Sequence, residues 1–398
     1  MAIAGSDSVA ESATHRRSEW EQVGLAPWVE PAYRRIAPAL PLLGIYVVVR
    51  TGLLLADVVS DHLSYARHAD GPLTAWDGHW YLSVAAQGYP AVAPTAHGQL
   101  TYSAAGFEPV FPALIRAAQS IGLTAVQAAV TVSIVAGAVS VVLVWRLGTL
   151  LFDEQVGRIG AILFIVFPGM GIAWGMIYSE CVGLAFAAGC LVLMVKRRWF
   201  WAGIAGAFAT ATSPMALPLA VAALVAVIQS LRRREAPGAL IALVLIPGGF
   251  IAYVGLLGLR YHDLFFWWHL QRQAWGARVD FGKSLLVLLA HPLTGGYQGK
   301  GWMEWLGVVA VVAAIAIMVR AKLTLPISLY CVATFALMFA SNSLGFKPRF
   351  LTWSFPALIA VAAATRRRGW QPIAVTFTFL LPLVFIAYAS FGNYMIQP

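Results

Sequence analysis

KRRWFWAGIAGAFATATSPMALPLAVAALVAVIQSLRRR, residues 196–234, is the stretch that decides the fold of this chain. Residues 199–231 carry no charge, and a cluster of three cations stands at each end. Basic clusters beside apolar runs stay on the cytoplasmic side of a membrane. The run is too long for one span of about 20 residues, and Ser213-Pro214 interrupts it. We therefore expect two short membrane helices that enter from the cytoplasmic side and return to it, with the break at their far end.

The composition of the whole chain agrees with a membrane protein. Hydrophobic residues make up 60% of the 398 residues, charged residues make up 11%, and the mean hydropathy is +0.75. Soluble domains carry about a quarter charged residues. The net charge of +10 falls in short clusters at the ends of apolar runs, whereas a nucleic-acid-binding protein would show one continuous basic face. The three cysteines lie in apolar runs and predict neither disulfides nor a zinc site.

The apolar runs predict an all-α polytopic membrane protein with about eleven spans of about 20 residues. The N-terminus is expected inside and the C-terminus outside, with residues 1–36 as a flexible cytoplasmic tail and the first span as an uncleaved anchor. Residues 37–398 are expected to form one domain, with long extracytoplasmic loops at 57–121 and 260–302 that carry interfacial helices. The remaining runs are 38–58, 122–145, 159–177, 180–195, 239–259, 303–319, 323–341, 350–365 and 371–391.

The first outer loop contains the strongest cluster of polar and aromatic residues, Trp76-Asp77-Gly78-His79-Trp80-Tyr81. A helix over residues 77–87 would place Asp77 and Tyr81 on one face. Asp77 is then either a catalytic carboxylate or the N-cap of a surface helix. Glu108, further along the loop, needs a partner at the membrane edge, and Arg50 and Arg116 are the candidates. A structural ion pair remains an alternative to a functional role for Glu108.

The second outer loop and the last outer turn add cations where the positive-inside rule disfavours them. His269, Arg272 and Gln273 would share one helix face, and Arg278 follows. Lys347 and Arg349 stand in the last outer turn. Cations beside aromatic rings suit a sugar phosphate, and a lipid-linked phosphate at the outer leaflet would explain them. The alternative is that these cations simply extend their charged ends into the interface.

The ordered set of motifs resembles the GT-C superfamily, specifically the PIG-V-like mannosyltransferases. The matching segments span about residues 40 to 365 of the chain. One departure is Phe107-Glu108-Pro109, where the family usually has Phe-Phe-Pro. The matching residues are Trp76-Asp77-x-x-Trp80-Tyr81, Gly88-Tyr89, the aromatic-proline segment ending at Arg116, Ala211-Thr212-Ser213-Pro214, His269 with Trp275-Gly276-x-Arg278, Arg349-Phe350-Leu351 and Phe355-Pro356.

The resemblance implies transfer of mannose, or a related hexose, from a polyprenyl-phosphate-linked donor to a lipid-linked or glycan acceptor on the extracytoplasmic side of the cell membrane. It places the catalytic carboxylate in the first outer loop, at Asp77. A hydroxyl nucleophile needs such a base, and a single carboxylate fits inversion. Neither a metal nor a cofactor is expected. The expected roles of the other residues are a donor-phosphate clamp of Arg278, Lys347 and Arg349, and a sugar or acceptor site of Trp80, Tyr81, His269 and Glu108.

Two alternatives remain open at the level of the sequence. A transporter or flippase of a lipid-linked glycan would carry its charges within the spans, whereas Arg50 is the charge placed clearly inside one here. A protein O-mannosyltransferase usually has Asp-Glu where this chain has Asp77-Gly78. The acceptor, a glycolipid, lipoglycan, polysaccharide or GPI-like intermediate, is also open, although the Ala- and Arg-rich composition indicates a bacterial chain and disfavours GPI.

Overall fold

The computed structural model describes residues 37–63, 71–291, 301–341 and 348–366, and these residues are mainly helical. The chain divides after Pro41 into two compact units, and the described part of the first comprises the 3-10 turn Ala37–Ala39 and the first residues of α1. The helices are α1 Leu40–Leu63, α2 Gly71–Thr74, α3 Asp77–Gln87, α4 Val110–Gln119, α5 Ala125–Leu151, α6 Glu154–Ile165, α7 Met170–Gly175, α8 Glu180–Val195, α9 Trp199–Thr210, α10 Leu219–Arg232, α11 Ala239–Leu245, α12 Gly248–Tyr261, α13 Phe266–Ala274, α14 Lys283–Ala290, α15 Gly301–Arg320, α16 Leu325–Phe339, α17 Pro348–Leu351 and α18 Pro356–Thr365.

Four helical stretches within the described residues are long and apolar enough to cross a membrane: Ala37–Leu55, Ala125–Leu151, Pro214–Arg232 and Ala239–Tyr261. Shorter apolar helices accompany them, among them α8, α16 and α18. The chain is thus an all-α membrane protein, as predicted. The count of about eleven spans stays a prediction, because the expected span 371–391 lies outside the described residues.

Proline breaks the apolar helices of the described residues at several places. The predicted break in 199–231 is present: α9 ends at Thr210, a 3-10 turn follows at Pro214–Ala216, and α10 begins at Leu219. Two further predicted spans, 159–177 and 239–259, are also divided, between α6 and α7 at Pro168 and between α11 and α12 at Pro247. Proline lacks the backbone N–H that a continuous helix needs, and its ring clashes with the preceding turn.

The centre of the bundle is α8, which packs against α5, α9 and α10. Its residues are apolar on all sides and almost all buried, as expected for a helix surrounded by others. Small residues allow close approach: a methyl group on Gly183 would clash with the indole ring of Trp353. This contact fixes the segment after α17 against the first turns of α8, and it therefore helps to place Arg349.

The first outer segment is fastened to the end of α12 by hydrogen bonds. The Tyr253 hydroxyl donates to the Ala105 carbonyl at 2.7 Å, and the Arg260 guanidinium donates to the carbonyls of Tyr89 and Pro90 at 2.9 and 2.8 Å. A short hairpin, β1 Thr95–Ala96 and β2 Gln99–Leu100, turns through two residues with positive φ, a histidine and a glycine. The sequence did not predict this hairpin. The two predicted outer loops also contact each other, because the Leu100 N–H donates to Gln273 Oε1 at 2.8 Å.

Candidate functional site

Asp77 occupies the first turn of α3 without capping it. The N-cap position belongs to Trp76, whose φ of 56° lies in the left-handed region, and no side chain caps the helix. The interpretation of Asp77 as an N-cap is therefore wrong. The helix begins here because two contacts hold the chain: Ile177 N–H donates to the Leu73 carbonyl at 2.9 Å, and Asp77 N–H lies 3.5 Å from the Tyr178 hydroxyl oxygen. The carboxylate is left free for another partner.

That partner is Arg349, 272 positions further along the chain. Its Nη1 lies 2.8 Å from Asp77 Oδ2, and the two side chains are 12% and 26% exposed, respectively. The guanidinium also lies over the rings of Tyr178 and Phe350, at 4.9 and 4.7 Å from their centroids. A planar guanidinium that lies against two aromatic rings and donates a hydrogen bond to a carboxylate is held in a fixed orientation. No hydrogen bond to Asp77 Oδ1 is seen among the described residues.

Glu180 is a third member of the site that sequence reasoning missed. It is the first residue of α8 and is 5% exposed. Its Oε1 lies 3.9 Å from Arg349 Nη1, while its Oε2 is buried without a hydrogen-bond partner in the described structure. The available signal was a lone carboxylate inside the predicted span 180–195, because charges in such spans are expensive and tend to be functional.

Glu108 lies close to the same group of charges. Burial raises the pKa of its carboxyl to about 8 against the opposing effect of its own backbone hydrogen bond, and the Asp77 and Glu180 carboxylates raise it further. Glu108 is therefore mainly protonated at neutral pH and can donate a hydrogen bond. The expected pairing with Arg50 or Arg116 is not found: Arg116 is exposed, and Arg50 donates to Ala173 O and Ser133 Oγ, both at 3.3 Å. A buried neutral carboxyl needs no cation, which explains the difference.

Tyr81 stands between the three carboxyl groups. Burial raises the pKa of its hydroxyl well above the ordinary value, and the charges of Glu180, Glu108 and Asp77 add to the effect. The hydroxyl shares a hydrogen bond of 2.8 Å with Ser179 Oγ, and the ring is 5% exposed. Tyr81 and Asp77 do share one face of α3, as predicted, but Tyr81 serves chiefly to hold α3 against the start of α8.

Aromatic rings from both outer segments form a wall beside the carboxylates. Trp80 stacks with Phe107 at 6.0 Å between ring centroids, and Trp275 meets Phe107 edge-on at 5.8 Å. Gly106 is required here, because a Cβ at that position would lie 2.8 Å from a ring carbon of Trp275. The half-buried Trp80 is thus placed where a sugar ring could stack.

His269 pairs with a different carboxylate. His269 Nδ1 lies 2.7 Å from Asp263 Oδ2, and the imidazole is half exposed. Arg278 lies on an exposed stretch after α13. Lys347 lies outside the described residues. The described residues also contain no cluster of histidine, cysteine, aspartate and glutamate suited to hold a metal ion.

No protein-family model and no curated protein matches the chain. The fold is nevertheless similar to that of solved membrane proteins. ArnT from Cupriavidus metallidurans bound to undecaprenyl phosphate matches with a TM-score of 0.53 and 17% identity, over 88% of this chain and 75% of ArnT. The Archaeoglobus fulgidus oligosaccharyltransferase in the apo form matches with a TM-score of 0.54 and 12% identity, over 89% of this chain and 56% of the other.

The same archaeal oligosaccharyltransferase, AglB, was also solved in complex with an inhibitory peptide and a dolichol-phosphate, and that structure matches with a TM-score of 0.53 and 12% identity, over 91% of this chain and 56% of AglB. The chain spans little more than half of this protein and three quarters of ArnT. At these identities the likeness concerns the fold. It shows that this mainly helical membrane protein shares the fold of these solved proteins.

Proposed function

We propose that the chain is a membrane glycosyltransferase of the PIG-V-like kind. It transfers mannose, or a related hexose, from a polyprenyl-phosphate-linked donor to a lipid-linked or glycan acceptor, on the extracytoplasmic side of the cell membrane. The observation that carries the proposal is the Asp77–Arg349 pair, set among two further carboxyl groups and a wall of aromatic rings. Supporting it, solved proteins of the same fold bind undecaprenyl phosphate and dolichol-phosphate.

Asp77 is the base in this proposal. Its Oδ2 is held by Arg349, and its Oδ1 is available to accept the proton of the acceptor hydroxyl as the new glycosidic bond forms. The bond from the anomeric carbon to the phosphate oxygen breaks in the same step, and the lipid phosphate leaves as an anion. Attack from the face opposite the leaving group inverts the anomeric carbon.

The structure changes the role that we propose for Arg349. Its guanidinium is paired with Asp77 and lies near Glu180. We therefore assign Arg349 to positioning the base and not to binding the donor phosphate. Arg278 and Lys347 remain the proposed phosphate ligands, with cationic charge stabilising the leaving group. Trp80 offers a stacking surface for the sugar, and the protonated Glu108 can donate a hydrogen bond to a sugar hydroxyl. Tyr81 and His269 keep their proposed place in the sugar or acceptor site.

The transporter alternative rests on charges within the bundle. Arg50 is buried there, but it is held by a backbone carbonyl and a serine hydroxyl, as in a static structural contact. Glu180 belongs to the Asp77 site rather than to a separate pathway.

The experiment that tests the proposal is an assay with purified protein in detergent. Radiolabelled mannose is supplied either as polyprenyl-phosphate mannose or as a nucleotide sugar, together with a membrane glycolipid extract. We expect a labelled product when the donor is polyprenyl-phosphate mannose and no product when it is the nucleotide sugar. If the protein forms no product in detergent but moves the lipid-linked sugar across the membrane of lipid vesicles, the result would favour the transporter instead.

A further inference from the structure

A cavity of about 410 Å³ lies at the end of the bundle opposite Asp77. It is formed by the last residues of α5, α8 and α10 and the first residues of α16. Glu180 of the Asp77 site begins α8, and Val195 at the other end of this 16-residue helix lines the cavity. At 1.5 Å per residue, these two ends are about 24 Å apart. The cavity is therefore separate from the proposed catalytic site.

The cavity has an apolar interior and a cationic mouth. Leu191, Met194 and Ile327 line it and are buried. Arg197 and Arg233 line it as well, but both are exposed at its edge. Its volume falls within the range of ligand pockets, about 300–1,000 Å³. This arrangement suits an amphiphile that has an anionic head and an apolar tail.

The charge at the mouth strongly favours an anion. The loops after α8 and α10 together carry six cations, residues 196–198 and 232–234, and one carboxylate, Glu235. Glu235 Oε2 accepts a hydrogen bond from Arg197 Nη2 at 2.8 Å. Of these charged residues, Arg197, Arg233 and Glu235 line the cavity and give its lining a net charge of +1, and four further cations stand next to them in the sequence. Cations of this kind attract anionic lipids, with about 1 kcal/mol from each Lys or Arg near the surface.

The N-terminus of α16 adds a second feature that suits an anion. Thr324 is the N-cap and lines the cavity, but its side chain makes no capping hydrogen bond to the helix. Helix N-termini carry partial positive charge and present unpaired N–H groups to anions. A phosphate at the mouth would therefore find both guanidinium groups and the end of a 15-residue helix.

We propose that this cavity binds an anionic glycerophospholipid from the leaflet at that end, with its phosphate at Arg197 and Arg233 and part of an acyl chain against the buried apolar wall. The positive-inside rule predicts that this end faces the cytoplasm, where anionic headgroups are attracted to basic clusters. A free phosphate would gain nothing from the apolar wall. The lipid is thus a structural ligand, distinct from the lipid-linked sugar proposed for the opposite end.

The test is binding of phosphatidylglycerol to the full chain purified in detergent, followed by native mass spectrometry and by thermal melting. Phosphatidylcholine with the same acyl chains, glycerol 3-phosphate and inorganic phosphate are the comparison ligands. The variant is Arg197→Gln with Arg233→Gln. The matched control is Arg158→Gln with Arg366→Gln, which removes two exposed cations that pair with Glu154 and Asp153 and do not line the cavity.

We expect wild-type protein and the control to retain phosphatidylglycerol in preference to phosphatidylcholine. The cavity variant should bind it about 30-fold more weakly, which is about 2 kcal/mol for two cations. If the double variant does not fold, Arg233→Gln alone should show about 5-fold weaker binding by the same reasoning. Equal retention of the two phospholipids, equal losses in variant and control, or full competition by glycerol 3-phosphate or phosphate would overturn the proposal.

Discussion

Replacement of Asp77 by asparagine separates the catalytic role of this residue from its structural role. The change keeps size and shape, and the amide oxygen can still accept a hydrogen bond from Arg349. The change removes the negative charge of the side chain and its ability to take a proton from the acceptor hydroxyl. Hydrogen bonds to charged groups contribute about 1.5–3 kcal/mol, and those between neutral groups about 0.5–1.5 kcal/mol. We therefore expect Asp77→Asn to lower the free energy of unfolding by about 1 kcal/mol.

The expected effect on the rate is much larger. A general base contributes about 10²–10⁴-fold, which corresponds to roughly 3–5 kcal/mol in the barrier at 1.36 kcal/mol per tenfold. Asp77→Glu should also be poor, because the added methylene moves the carboxylate by about 1 Å, enough for a loss of about 100-fold. Such a loss of rate with little loss of stability cannot come from unfolding.

The assay is sugar transfer from the polyprenyl-phosphate donor, with a thermal melt of each variant in the same detergent. Asp153→Asn is a matched control: Asp153 is the N-cap of α6, its Oδ1 accepts a hydrogen bond from the Val156 N–H, and asparagine caps a helix nearly as well. It should melt and react like the wild type. If Asp77→Asn still transfers sugar at more than half of the wild-type rate, Asp77 is not the base, and Glu108 becomes the candidate.

Four further predictions follow from the same geometry. Arg349→Lys should lower kcat and leave the donor KM nearly unchanged, because an ammonium cannot both bind Asp77 and lie flat against Tyr178 and Phe350. A raised donor KM with an unchanged kcat would show instead that Arg349 binds the donor phosphate. Arg278→Ala and Lys347→Ala should raise the donor KM, and wild-type kinetics in both would show that these cations are not phosphate ligands. Glu108 has a folded-state pKa near 8 against an ordinary value of 4.5, so its contribution to stability is full below pH 4.5 and is lost as the pH rises through 8. Across this range the free energy of unfolding should fall with pH more steeply for wild type than for Glu108→Gln, by up to about 1.4 kcal/mol per pH unit. Parallel curves from thermal melts would contradict the burial of this carboxyl. A cysteine at position 97 should react with a membrane-impermeant thiol reagent on intact cells and one at position 235 should not, and labelling of both would refute the proposed orientation.

The sequence predicts the local features of this protein well, because local features depend on local chemistry. A helix over residues 77–87, which would place Asp77 and Tyr81 on one face, is present with these bounds. The break at Ser213-Pro214 follows from the absence of an N–H in proline and from the length of the apolar run. The breaks at Pro168 and Pro247 follow the same rule, but the lengths of those two apolar runs fit single spans, so nothing in the sequence indicates that they divide.

Features that depend on long-range packing were beyond the sequence. No pattern joins Asp77 to Arg349 across 272 positions, and the pairing depends on how Trp353 packs against Gly183 of α8. The sequence also predicts a cation, Arg50 or Arg116, as the partner of Glu108, and neither pair is found, for a related reason. Whether a carboxyl is charged depends on its burial, and burial is a property of the folded bundle.

The charge balance of the site indicates how the chemistry is divided among its residues. Asp77 and Glu180 lie beside one cation, Arg349, and Glu108 lies near these two carboxylates, so three ionised carboxylates would leave a net charge of −2 in a largely buried place. The raised pKa of Glu108 removes one of these charges at neutral pH. Arg349 is already paired with Asp77 before the donor arrives, and a donor phosphate would bring further negative charge to the site. Arg349 cannot balance both its carboxylates and a phosphate, so the donor needs cations from outside this group. The outer-face cations Arg278 and Lys347, which the positive-inside rule leaves unexplained, would meet that need.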